Sequence, residues 1–162
     1  MSAVLQLFVS PQAIELKSAE GAKPSLGQIE VGYAPLTQLF FQGETISAGR
    51  LEQAIEWTED QIQSAKLSIP PGSALHTHEQ DLRELAVASG VAPSADMALH
   101  VDAVEATFSR LVMQAFGQAP QQESLPRSAR FFATVVFVRE LMHHLHFPVI
   151  HVLGNDEALT AA

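Results

Sequence analysis

The amino-acid sequence predicts an α+β protein in which a small antiparallel sheet, formed by the N-terminal third, packs against three or four helices. Apolar residues recur with a period of two up to residue 42 and with a helical period from residue 51 onward. One late C-terminal strand at residues 149–153 follows Pro148, which ends the last helix. A chain of 162 residues suits one domain, so we predict a single domain with strands mainly in residues 1–44, helices mainly in 47–147 and a closing strand in 148–153.

Four short segments of the N-terminal third have the pattern of strands. In the first, Leu5, Leu7 and Val9 alternate with Gln6 and Phe8, which places successive side chains on opposite faces of a sheet. A stretch rich in Gly, Ala and Lys predicts a turn between the second and third segments, at residues 18–24. The four predicted strands cover residues 4–9, 12–17, 29–33 and 36–42.

The rest of the chain predicts four helices separated by Pro and Gly residues. Ser47 is the expected N-cap of the first helix. A Pro-Pro-Gly segment at residues 69–73 precedes the second, which we expect to begin with a capping box of Thr77 and Gln80. The predicted helices run over residues 51–65, 77–90, 94–117 and 130–146, with Ser94 and Ser128 as the N-caps of the last two.

The fourth predicted helix is apolar on nearly all sides. Residues 131–138 form the longest apolar run of the sequence, which ends at Arg139. A helix of this kind lies in the middle of a core or in an interface. Only 17% of the residues are charged, against about a quarter in an average protein, and a weakly charged surface favours association. We therefore expect a homo-oligomer or a complex with a protein partner.

Charge and hydropathy exclude several classes of function. The net charge of −9, with nine thinly spread Lys and Arg residues, argues against nucleic acid and against an anionic membrane surface as partners. The longest apolar run is much shorter than the roughly 20 residues of a membrane-spanning helix. The N-terminal residues have no basic leader, and so no signal peptide is predicted. The cytoplasm is the expected location.

Common catalytic signatures are missing from the sequence. The absence of cysteine excludes disulfides, thiolate nucleophiles and Cys-based metal sites. The nine glycines form no phosphate-binding loop of the P-loop or dinucleotide type, and no Gly-x-Ser-x-Gly elbow is present. Phosphoryl transfer and nicotinamide chemistry are therefore not expected.

Histidines are the residues that could carry chemistry. Imidazole is the commonest metal ligand at neutral pH, and a His-x-His pair in an extended segment can bind one ion from one side. A Glu-x-x-His pair near the end of the fourth helix places a carboxylate and an imidazole on one helical face. The candidate metal ligands are His76, His78, Glu140, His143, His144 and His151.

A structural role would also explain these histidines. Histidines in a last helical turn interact favourably with the free carbonyl groups there. His143 and His144 are adjacent, so they point about 100° apart and do not both serve one compact site. The acidic residues Glu52, Glu56 and Glu59 share a helix face that we interpret as solvated.

Two functional hypotheses remain. The first is a non-enzymatic interaction or accessory protein, which would need no cofactor. The alternative is a metal-dependent enzyme or metal-binding protein that uses the histidine and glutamate cluster, with a divalent metal ion as its cofactor. The first hypothesis leads at this point because it requires fewer coincidences.

Overall fold

The computed structural model describes residues 2–20, 25–43, 46–118 and 125–154. Residues 21–24 of the predicted turn therefore lie outside the described residues. The strands are β1 (Val4–Val9), β2 (Ile14–Ser18), β3 (Ser25–Ile29), β4 (Ala74–Thr77), β5 (Asp96–His100) and β6 (Val149–Leu153). The helices are α1 (Tyr33–Leu39), α2 (Ala48–Ser64), α3 (Gln80–Ala88), α4 (Val101–Ala115) and α5 (Ala129–His144).

The six strands form one mixed sheet in the order β3-β2-β1-β4-β6-β5. β1, β2 and β3 pair antiparallel, β1 pairs parallel with β4, and β4 pairs parallel with β6. β5 lies antiparallel to β6 at the edge. The α+β class is confirmed, whereas the expectation of a small antiparallel sheet is wrong. The predicted closing strand is present, and it lies inside the sheet rather than at its edge.

The additional strands lie in the part of the chain that we predicted to be mainly helical. β4 has only four residues, too few to show a period. In β5 the buried residues Met97 and Leu99 alternate as in a strand, but Met97 also stands at helical spacing from Val101 and Val104 of the next helix. The helical spacing of the apolar residues therefore led us to predict one helix where the structure has β5 and α4. Pairing with β6 decides the conformation of β5, as tertiary contacts commonly override local preference.

One segment of the N-terminal third was assigned to the wrong type of element. The predicted strand at residues 36–42 is mostly helix α1, in which Leu36 is buried and Leu39 is exposed. A short segment that is apolar on both faces fits a helix turn as well as a strand. The third strand was predicted to begin at residue 29, whereas β3 of the structure ends at Ile29.

Two of the four predicted helix caps are confirmed. The Ser47 and Ser128 side chains accept hydrogen bonds from the backbone N–H groups of Arg50 and Phe131. The capping box is wrong, because the Thr77 hydroxyl donates to the Leu7 carbonyl and no side chain caps α3. Ser94 precedes a strand and caps no helix.

Helix α5 lies in the centre of the core. Residues 131–138 are all buried, and α5 packs against α1, α2, α3 and α4. The helix is thus covered by the chain's own elements. It therefore gives no reason to require a second subunit, and the homo-oligomer stays a prediction.

The sheet has one covered face and one open face. Leu5, Leu7 and Leu75 point towards the helices and are buried. The opposite face, which we call the open face, carries half-buried or exposed side chains: Gln6, Phe8, His76, Asp96, Ala98 and His151. Among the described residues, no helix is long and apolar enough to cross a membrane.

The covered and open faces differ in the stability that they contribute. We expect Phe137→Ala, at the fully buried centre of α5, to lower the free energy of unfolding by about 3–5 kcal/mol, because it leaves a cavity. Phe8→Ala is the matched control on the open face, where the ring is 41% exposed, and it should cost about 1 kcal/mol or less. Urea unfolding of both variants measures the difference, and equal losses would contradict this arrangement.

Candidate metal centre

A cluster of ionisable side chains lies where the C-terminal half of α5 packs against α2 and α4. Glu140 and His144 lie one turn apart on α5, so both project from the same side of that helix. Glu59 reaches them from α2. Within the described ranges, Glu59, Glu140 and His144 are the one group of at least three His, Cys, Asp or Glu residues whose ligand atoms all lie within 4.8 Å of one another.

Glu140 is the buried member of this group. Only 2% of the residue is exposed, because α5 is the central helix of the core. Burial raises the pKa of the Glu140 carboxyl, and the neighbouring Glu59 carboxyl raises it further, while Arg139 and His144 act in the opposite direction. The Arg139 guanidinium donates to Glu140 Oε1 at 2.5 Å. One oxygen of Glu140 is therefore fixed by a cation and the other faces His144.

The distances around His144 match those between ligands of one metal ion. His144 Nε2 lies 3.3 Å from Glu59 Oε1 and 3.4 Å from Glu140 Oε2. A charge-assisted hydrogen bond would be shorter, at about 2.7–2.9 Å. Ligand atoms on a tetrahedral ion with bonds of about 2.0–2.2 Å lie roughly 3.3–3.6 Å apart. The two distances from His144 therefore fit tetrahedral coordination, and all three ligand atoms lie within 4.8 Å of one another.

A second set of contacts lies on the side of α5 that faces α4. Arg139 Nε donates to Glu105 Oε1 of α4 at 2.9 Å, and its guanidinium lies over the Phe108 ring. His143 Nε2 contacts the same Glu105 oxygen. Burial alone would raise the pKa of Glu105, but the hydrogen bonds from Arg139 and His143 lower it. Arg139 therefore links the α4 side to Glu140.

The structure brings some of the predicted ligands together and separates others. Glu140 meets His144 rather than His143, which turns towards α4. The two adjacent histidines thus point to different helices, as their helical spacing predicts. Glu59 was missed as a ligand because its acidic face on α2 was interpreted as solvated. Its position three residues before the buried Ile62, on the same side of α2, was the available signal.

The remaining predicted ligands lie elsewhere, on the open face of the sheet and at its rim. The His76 and His151 rings have centroids 5.2 Å apart. His151 Nδ1 lies 3.0 Å from Asp96 Oδ1. Burial lowers the pKa of His76, and the charge of His151 lowers it further. His78 follows β4 and is exposed.

The carboxyl ends of β1 and β4 form a third place where a ligand could be expected. The chain leaves these two parallel strands in opposite directions, and ligands of open α/β sheets commonly bind at such a point. Here the Val9 N–H donates to Glu79 Oε1 at 2.9 Å. Because the chain's own carboxylate takes this backbone donor, an anion would meet a negative charge there.

No family model and no curated protein sequence matches this chain. Its fold is shared with solved structures of phosphatases. The Ppx/GppA phosphatase of Aquifex aeolicus aligns over 94% of this chain and 53% of that chain, with a TM-score of 0.71 and 14% identity. An exopolyphosphatase-like protein gives a TM-score of 0.67 at 11% identity, covering 95% of this chain and 54% of that one. An exopolyphosphatase from Cytophaga hutchinsonii gives 0.61 at 11% identity, covering 94% and 53%.

The chain spans about half the length of these solved structures, and the low identities establish the shared fold alone. The interaction-protein hypothesis gains no support from this comparison. The expectation that a divalent metal could be a cofactor agrees with the Glu59–Glu140–His144 cluster.

Glu140 should make the stability of the metal-free protein depend on pH. Its pKa is raised on folding, so its contribution to stability is present below the ordinary carboxyl range and is lost as pH rises through the raised value. Glu140→Gln cannot ionise, so we expect its free energy of unfolding to increase relative to wild type as the pH rises above the ordinary carboxyl range. Urea unfolding with chelator present tests this, with Glu52→Gln on the exposed side of α2 as control. If the free energies of unfolding of Glu140→Gln and wild type changed with pH in parallel, this result would contradict the raised pKa.

Proposed function

We propose that this chain is a divalent-metal-binding domain with a phosphatase-type fold, and that Glu59, Glu140 and His144 hold the ion. The observation that carries the proposal is the spacing of 3.3 and 3.4 Å from His144 Nε2 to the two carboxylate oxygens. Two carboxylates and one imidazole suit Zn²⁺, and three protein ligands with an open fourth position are typical of a catalytic zinc site. The cytoplasm is the location we propose for it.

The surroundings of the cluster suit both retention and access of an ion. The Arg139 guanidinium on Glu140 Oε1 orients this carboxylate, as a hydrogen-bonded second layer does around metal ligands. The Glu59 and His144 side chains are 37% and 29% exposed, so an ion or water reaches the cluster from their side. His144 also lines a surface groove of about 470 Å³ that runs along residues 67–73 and 144–148.

Hydrolysis of polyphosphate is the second candidate function. The fold shared with an exopolyphosphatase at a TM-score of 0.61 favours it. The hydrogen bond from Val9 N–H to the Glu79 carboxylate argues against it, because this contact takes up a backbone donor at the place where the fold would be expected to bind a ligand. Metal binding is therefore the better supported proposal.

Zinc should stabilise the folded protein through the cluster. At a free concentration of about 100 times the dissociation constant, an ion that binds only the folded state adds about 2.7 kcal/mol, which for this chain length corresponds to a rise in Tm of roughly 5–10 °C. We expect this rise for metal-stripped wild type and its loss in Glu140→Gln and His144→Ala. Differential scanning calorimetry with stepwise Zn²⁺ measures it.

Matched variants separate this site from general binding of zinc to acidic or histidine residues. Glu56→Gln on α2 and His146→Ala after α5 change exposed residues outside the cluster, and they should retain the wild-type rise. The proposal is wrong if Glu140→Gln and His144→Ala show the same rise in Tm as these controls.

The second candidate has its own assay. We expect no release of phosphate from polyphosphate by the chain loaded with Zn²⁺, Mg²⁺ or Mn²⁺, because the carboxylate of Glu79 repels a phosphate group from the Val9 N–H. Colorimetric phosphate determination with purified wild type and Glu79→Gln measures this activity. Metal-dependent release by wild type that is lost in His144→Ala would establish hydrolysis at the cluster and replace our preference.

A further inference from the structure

Two histidines lie side by side on the open face of the sheet because the backbone register aligns them. His76 of β4 and His151 of β6 are direct partners in a parallel pair of strands. Aligned residues of neighbouring parallel strands project to the same face, about 4.8 Å apart. Asp96 belongs to the same face, because His151 is aligned with Ala98, two residues further along β5. The arrangement thus depends on strand pairing rather than on flexible loops.

The distance between the two rings fits a shared metal ion. Their centroids lie 5.2 Å apart, with ring planes inclined by 55°. Two imidazoles on one ion, with metal–nitrogen bonds of about 2.0–2.1 Å, have centroids roughly 4.5–5.3 Å apart as the angle at the metal opens from square-planar to tetrahedral. Both side chains are half-buried, so the face gives an ion access to them. An ion could therefore be bound with little movement of the backbone.

Asp96 determines which nitrogen of His151 is available. A carboxylate only accepts hydrogen bonds, so the contact of 3.0 Å requires that His151 Nδ1 carries the proton and donates it to Asp96 Oδ1. The lone pair of His151 is then on Nε2. A carboxylate that holds the second ring nitrogen is the usual second layer around a metal-binding histidine.

We propose that His76 and His151 bind a transition-metal ion of the class that imidazole prefers, Cu²⁺, Ni²⁺ or Zn²⁺, with Asp96 as the positioning residue of His151. This site goes beyond the proposed function. It shares no residue with the Glu59–Glu140–His144 cluster and lies on the face of the sheet opposite to the helices. The remaining coordination positions belong to water or to a bound ligand.

Copper binding to the tag-free protein tests this proposal. We expect isothermal titration with Cu²⁺ to show a site that weakens at least about tenfold in His76→Ala and in His151→Ala, and about 10–100-fold in Asp96→Asn. Electron paramagnetic resonance of the wild-type complex should show hyperfine coupling to imidazole nitrogens. His100→Ala, on an exposed histidine of β5, should keep both the affinity and the spectrum, and His144→Ala in the other cluster should keep the affinity of the His76–His151 site.

The outcomes distinguish the two metal sites. Loss of the site in His76→Ala and His151→Ala, with retention in His144→Ala, supports the proposal even if zinc fails to stabilise the protein through Glu140. Unchanged copper affinity in both His76→Ala and His151→Ala overturns the proposal. Should either variant fail to fold by circular dichroism, proton NMR of wild type decides: Cu²⁺ must broaden the ring signals of both His76 and His151 first, and broadening of any other histidine pair overturns the proposal.

Discussion

Burial of α5 is the constraint on which the rest of the structure depends. Since residues 131–138 are buried and the helix packs against four other helices, it cannot turn polar residues to solvent over most of its length. Its polar residues are therefore concentrated near the C-terminal end, where α2 and α4 carry charged partners. Glu140 lies inside this boundary and loses its hydration. The Arg139 guanidinium and the His144 ring offset part of this loss. The same burial that stabilises the fold thus brings the candidate ligands together.

The sequence predicted the elements whose pattern is local. The strand Val4–Val9 and the helix α2 show clear periods, whereas α5 and Val149–Leu153 are apolar segments that begin after Ser128 and Pro148. The serine caps follow from short-range hydrogen bonding. β4 and β5 could not be predicted in this way, because their conformation depends on pairing with strands about 50 to 75 residues away. A mixed sheet follows from these long-range pairs, which no window of local sequence contains.

The candidate sites were predicted in part for the same reason. Residue type identified Glu140, His144, His76 and His151, but not which of them meet. Helical spacing favoured Glu140 with His143, whereas the packing of α2 against α5 selects His144 and adds Glu59. On the open face, the register between β4 and β6 aligns His76 with His151. Each pairing is thus determined by an element-to-element contact that the sequence does not display.

The order of the strands has a consequence for folding. The parallel centre of the sheet joins residues 4–7, 74–77 and 150–152, and β5 finds its strand partner only in β6. Contacts of such large sequence separation slow folding, because a long loop must close before they form. As synthesis proceeds from the N-terminus, β1 to β3 can form a hairpin array early, whereas β5 stays an unpaired edge until Val149–Leu153 has been made. During that interval β4 and β5 expose backbone groups that can pair with other chains. The nascent protein therefore passes through an aggregation-prone state that ends when β6 inserts between them.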